Sequence, residues 1–190
     1  VGIGTTSPQS GIHLAEGGSG SDGGSVLTLS QTGFGTIVNN DDLGSVHFGG
    51  VTSGGVGSHA CAKIMVEGDG TFATNDFPTR MTFHTTTDGG NTLSERMRIS
   101  NAGRVSIGTT TTDRELKVQK SGDSCVIAIV SGTSNLSGIV MGDTDDDDIG
   151  HILYNNSSNS MSFRTNTSDA VTIDSSGNLL IGTASFNAGA

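Results

Sequence analysis

The chain has 190 residues with 30 Gly, 2 Pro, no Trp, 1 Tyr and 7 Phe, and 32% of it is hydrophobic. So few large side chains leave little apolar surface for an ordinary globular core, at roughly 25 cal/mol per Å² buried, and each ordered Gly adds backbone entropy cost. The net charge of −10 and an isoelectric point near 4.6 disfavour nucleic acid and anionic lipid, which need clustered Lys and Arg, and no apolar run reaches the roughly 18 residues of a membrane-spanning helix, so no membrane insertion is expected.

In chain order, Val1 opens the phrase VGIGTTSP, without Met and inside what proves a repeat, so an excerpt of a longer polypeptide is expected. A Gly-rich loop covers 16–25. Val26-Leu27-Thr28-Leu29 then reads as a short strand, with Val126-Ile127-Ala128-Ile129 as its later counterpart. Gly44-Ser45-Val46-His47-Phe48 is the next strand and is matched to Gly150-His151-Ile152-Leu153-Tyr154. A second Gly-rich loop spans 49–58. Met81-Thr82-Phe83-His84-Thr85 is answered by Met161-Ser162-Phe163-Arg164-Thr165. Alternation puts Met81 and Phe83, like Met161 and Phe163, on a buried face, with Thr82 and His84 on a wet one. No segment holds a helical period, so the fold class is all-β.

The opening phrase returns as VSIGTTTT at Val105 and LLIGTASF at Leu179. Met97 and Ile99, then Val105 and Ile107, give a strand pair with one apolar face and Arg96 and Arg98 facing outward. Ser100-Asn101-Ala102-Gly103 between them has the chemistry of a type I turn followed by a left-handed Gly, and Asp174-Ser175-Ser176-Gly177 fits the same turn. Gly103 and Gly177 are therefore read as structural turn residues, and Gly108 and Gly182 as the points where the chain leaves the sheet. The reading divides the chain into module one (1–104, with long Gly/Ser-rich insertions), module two (105–178) and the start of a third (179–190). These are elongated, repetitive modules of short antiparallel strands. Modules too weakly apolar to bury a core alone gain one by intertwining three chains, so a homotrimer is expected.

Chemistry-bearing residues are sparse. Asp143, Asp145 and Asp147 have the one-three-five spacing of a calcium loop, but Asp148 replaces the turn Gly and Tyr154 the bidentate Glu. They are weak metal candidates beside the simpler reading of a solvated acidic turn. His13, His47, His59, His84 and His151 form no local ligand pair, although in a three-fold assembly one His could meet its copies on the axis. Cys61 and Cys125 read as small buried thiols, with a mutual disulfide as the alternative. Glu95, Asp113, Glu115 and Asp174 supply carboxylates that no spacing pairs for glycosidase chemistry. Gly2-Ile3-Gly4 is a bare GxG with no helix after it. No catalytic or cofactor-binding residue is assigned, no cofactor is expected, and the chain is read as not an enzyme.

ERMRISNAGRVSIGT from Glu95, AVTIDSSGNLLIGT from Ala170 and VGIGTTSP from Val1 together resemble the repeat of bacteriophage tail fibres and fibre-like appendages. LGSVHFGG from Leu43 and IGHILYNNSSNSMSFRTN from Ile149 resemble the sheet segments between such refrains. Thr111-Thr112 and Ala184-Ser185-Phe186 depart from the usual Ser-Pro that ends the phrase. The resemblance implies a homotrimeric structural component of the virion tail, exposed outside the capsid and serving host attachment. Its implied partners are its own copies, other tail or baseplate proteins and a host surface glycan. It implies no receptor residue, and some members carry a C-terminal self-cleaving chaperone domain. A polysaccharide-degrading tailspike with a site between chains, or a bacterial adhesin stalk, are the alternatives.

Overall fold

The computed structural model describes residues 2–3, 13–14, 27–30, 35–50 and 59–182. Most of the opening VGIGTTSP, the 16–25 loop and the tail of the third refrain lie outside the described residues, as does the 49–58 loop beyond Gly50. Every regular element among the described residues is a β-strand. The chain divides into two compact units, Val1–Cys125 and Val126–Ala190.

Unit one holds a short parallel pair, β1 (Gly2–Ile3) with β2 (His13–Leu14), and a six-stranded sheet. The sheet runs in chain order through β3 (Asp42–Gly50), β4 (His59–Gly68), β5 (Thr79–Thr85), β6 (Ser94–Ile99), β7 (Val105–Ile107) and β8 (Leu116–Val118). All its pairs are antiparallel except β7–β8, which is parallel. Unit two is a five-stranded antiparallel meander of β9 (Leu136–Met141), β10 (Gly150–Asn155), β11 (Ser160–Thr165), β12 (Ser168–Ile173) and β13 (Leu179–Ile181). The units divide at Cys125/Val126 because β7 closes a hairpin with β6 and β8 then pairs with β7, which keeps both in unit one.

The two sheets repeat one another to the level of register. Met81 faces Ile99 and Phe83 faces Met97; Met161 faces Ile173 and Phe163 faces Val171. Immediately after the Phe, each ladder slips by a β-bulge, at Phe83/His84 and at Phe163/Arg164. The refrain turns match bond for bond. Gly103 N donates to Ser100 O and Ser100 N to Arg104 O, while Gly177 N donates to Asp174 O and Asp174 N to Asn178 O. Gly103 and Gly177 sit at φ 74° and 81°, the left-handed region that penalises a Cβ. Gly108 and Gly182, at φ 74° and 75°, send their N–H groups back to Arg96 O and Ala170 O.

Three expectations change. Residues 27–30 and 126–130 are not strands: among the described residues no ladder pairs them, and no neighbouring backbone takes their N–H and C=O groups. GSVHF does not correspond to GHILY. The latter lies in β10, directly beside MSFRT, whereas GSVHF lies in β3, with β4 between it and MTFHT. The intervening HACAKIMVEG is the true counterpart of β10, hidden in sequence by the long insertion before it. Cys61 and Cys125 are exposed and not disulfide-bonded; among the described residues the buried apolar side chains come to Met65 alone, which leaves little interior to receive them.

Gly108 and Gly182 share a conformation but not surroundings. A Cβ on Gly182 meets nothing within 4 Å, whereas one on Gly108 runs into the Gln119 carbonyl oxygen beside the parallel strand. Gly182→Ala is therefore expected to cost about 1–2 kcal/mol, the penalty of a left-handed Cβ. Gly108→Ala should cost visibly more and loosen β8. Chemical denaturation of both variants measures the difference, and equal losses would contradict the stated packing at Gly108.

Candidate functional site

Among the described residues the chemistry of this chain is distributed over sheet faces. Along the paired strands of unit one, Lys63, Met65, Glu67, Arg80, Thr82, His84, Arg98, Ser106 and Lys117 share one face through the registers Met65–Thr82, Thr82–Arg98, Arg98–Ser106 and Ser106–Lys117. The opposite face carries Val46, Phe48, Ile64, Val66, Met81, Phe83, Met97, Ile99, Val105, Ile107, Leu116 and Val118 in the same ladders. Alternation thus separates polar from apolar as expected, but the burial is inverted. Thr82 and Ser106 are fully buried, whereas Val46, Phe48, Ile64, Met81, Ile107 and Leu116 remain 37–62% exposed. Among the described residues Met65, on the polar face, is the only buried apolar side chain.

Long charged side chains explain the inversion. They lie down over the polar face and shield its short residues while their heads pair with one another. Arg98 makes a two-bond fork with Glu95, at 2.6 Å each, so Arg98 is half-buried and not the outward residue expected. The Glu95 bond is the chief reason that the Arg98 guanidinium is held above its usual range. Lys63 Nζ reaches Met65 Sδ, Thr82 Oγ1 donates to Glu67, and His84 Nε2 sits 3.0 Å from Thr82 Oγ1. Arg80 is the anchor. It donates to Asn39 Oδ1 at 2.9 Å, Asn40 Oδ1 at 2.6 Å, Gly68 O at 3.0 Å and Asp69 Oδ1 at 3.1 Å, and it pairs with Glu67 at 3.3 Å. Asp69 also takes the Asn101 N–H, which ties the refrain turn to the same network. Removing one partner from so buried a set leaves uncompensated charge, a loss of about 3–5 kcal/mol.

Unit two repeats the arrangement. Its apolar face holds Ile139, Met141, Ile152, Tyr154, Met161, Phe163, Val171, Ile173, Leu179 and Ile181. The members at its edges, Ile139, Met141, Leu179 and Ile181, are 48–68% exposed. On the other face His151 is buried, with Nε2 3.1 Å from Ser162 Oγ and 3.2 Å from Asp169 Oδ1. Both contacts use the same ring nitrogen. A Ser-His-Asp relay needs one contact on each nitrogen, so this is a fastened imidazole and not a triad.

The other singled-out residues are placed as follows. Asp143 Oδ1 accepts the N–H groups of Asp145 and Asp146, which holds its carboxyl below the usual range. It therefore organises the turn, and the carboxylates brought together are those of Asp146, Asp147 and Asp148, not the predicted alternating set. Glu95 is committed to Arg98, Glu115 to Arg104, Asp113 to Lys117 and Asp174 to Asn178. His47 bonds Ser45, and the side chains of His13 and His59 lie outside what the structure describes. The signal that sequence reading missed is the row of long ionic residues opposite the apolar row of unit one, which lies over the polar face.

No family model matches this chain, and no curated protein matches it. Eleven chains of solved structures are similar, two of them as follows. The carboxy-terminal domain of the bacteriophage T5 L-shaped tail fibre aligns over 93% of this chain and 94% of its own, at 14% identity and a TM-score of 0.45. The same domain with its intramolecular chaperone domain aligns over 93% of this chain and 64% of its own, at 14% identity and a TM-score of 0.44. A likeness this loose assigns neither ancestry nor role.

The polar face yields a pH dependence. Burial, seconded by the Lys63 charge, lowers the His84 pKa below its ordinary 6.5. Its folded value is below its unfolded value, so its contribution is complete above about pH 6.5 and is lost as pH falls through the folded value. Stability of the native protein should fall as pH drops below about 6.5, more steeply than that of His84→Gln. Parallel pH profiles from denaturant titrations would refute this.

Proposed function

We propose that the chain is a structural segment of a bacteriophage tail fibre or related virion appendage, outside the capsid, that supports attachment to the host cell. It does so as a homotrimer in which the apolar sheet faces meet. The observation that carries the reading is the pair of uncovered apolar faces, one in each unit, opposite polar faces that cover themselves. Completing the burial of six half-exposed side chains in unit one, at about 1 kcal/mol each, is worth on the order of 6 kcal/mol. That equals the whole stability of a modest domain. The matched refrains, with their identical turns and bulges, support a module that can be strung in series. The resemblance of those refrains to tail-fibre repeats supplies the biological setting. On this reading other tail or baseplate proteins bind at the ends of the array and a host surface glycan is what the appendage contacts. The role is mechanical and no residue is assigned to catalysis.

Light scattering at micromolar concentration should return the mass of three chains. Ile64→Glu with Met81→Glu places two charges on the apolar face without touching the polar network, and this variant should stay folded by circular dichroism yet fall to one chain. A native protein that is monomeric and unfolds cooperatively, or a variant that keeps its mass, would overturn the assembly. Turnover of host polysaccharide by the assembled protein would replace the structural role with that of a tailspike.

A further inference from the structure

We infer that residues 126–130 form an exchanged strand, which leaves its own chain and adds to the free edge of β9 in a second copy. The inference rests on the self-assembly proposed above and names one of its contacts.

The run Val126-Ile127-Ala128-Ile129-Val130 has no charge, no Gly and no Pro, and four of its five residues are β-branched. Val126, Ile127, Ile129 and Val130 are 82%, 65%, 46% and 85% exposed, and among the described residues no ladder pairs them. An unpaired apolar segment of this kind is what soluble proteins ordinarily cover, since it templates indiscriminate pairing. Being apolar at successive positions, it suits a strand covered on both faces and not one with a wet side.

The free edge that fits it is on the same unit. β9 is the terminal strand of its sheet and has six residues against the run's five. Its Ile139, Val140 and Met141 are successive apolar residues, all about half exposed. Ile139 and Met141 lie on the apolar face, but Val140 shares the face of the buried His151. β9 is thus the place where both sides of the sheet lack apolar cover.

The connection between run and strand is fastened in a way that leaves the run outside its own edge. Asn135 N bonds Gly132 O, Ser131 Oγ lies 2.8 Å from Ser137 Oγ, and Asn156 Nδ2 donates to Ser131 Oγ and Asn135 O. Ser137 pairs with Tyr154 and so lies on the apolar face. Ser131 is therefore held above that face and not beside β9 in the plane of the sheet, where a hairpin partner must lie. In unit one the corresponding run also lies over the sheet and not in its plane: a Cβ on Gly44 of β3, on the face of its register partner Val66, would lie 2.9 Å from Leu29 Cβ.

Hydrogen exchange on the assembled protein, read by mass spectrometry, tests protection of the run. A cysteine pair tests its partner. In a Cys61→Ser, Cys125→Ser background, Val130→Cys is placed on one chain and Leu136→Cys on another, and the two are refolded together under mild oxidation. Expected are at least 100-fold slower exchange of amides 126–130 than in a free peptide and a disulfide between the two differently tagged chains. An assembled protein whose run exchanges at free-peptide rates overturns the exchanged strand and leaves the assembly standing. The same holds if the disulfide forms only when both cysteines share a chain. A protein that never assembles overturns both.

Discussion

A single β-sheet has two faces, and this chain can cover only one of them. The constraint comes from composition: with few aromatics and many Gly, there is no second apolar layer to lay on the sheet. What the chain does have is a row of Lys, Glu and Arg at alternating positions, and these long side chains fold over the polar face and pair there. Thr82 and Ser106 are fully buried beneath them, while Met81 and Ile107, one position away, stay exposed. The rest of the molecule follows from that asymmetry, including the apolar side chains it leaves half exposed.

The Arg80 network shows how the covered face is kept in order. A guanidinium with five donors can satisfy Asn39, Asn40, Gly68, Asp69 and Glu67 together. Those groups come from the segment before β3, the end of β4 and the loop after it, so one side chain registers three pieces of backbone. A Lys at the same position could not reach them in that fan. His151 plays a smaller version of the role in unit two, bridging Ser162 and Asp169 across neighbouring strands. Such polar cores stabilise little on balance, but they tolerate only one register. Unique register is what a repeated module needs if its apolar face is to match that of another copy.

The refrain adds the means of repetition. A type I turn with a left-handed Gly closes β6 onto β7 and β12 onto β13 with the same hydrogen bonds. The bulge after Phe83 and Phe163 then re-aims the following residues in both sheets. Insertions such as the one before β4 change the length of the connections and leave these registers untouched, as surface loops generally do.

The all-β class, the refrain turns and the separation of polar from apolar residues were legible in the sequence, because strand alternation and left-handed glycines are local properties of two to five residues. Gly103 and Gly177 could be placed from their turns alone. The direction of burial could not be read, since alternation says which residues share a face but not which face finds cover. That depends on whether the long ionic residues lie down or extend, a matter of their neighbours across the ladder. The correspondence of β4 with β10 was likewise hidden, because pairing is decided by hydrogen bonds between segments that an insertion separates. The runs at 27–30 and 126–130 have every local mark of a strand. Whether they become one was left to tertiary structure, for a strand exists only where another backbone offers its own N–H and C=O groups in return.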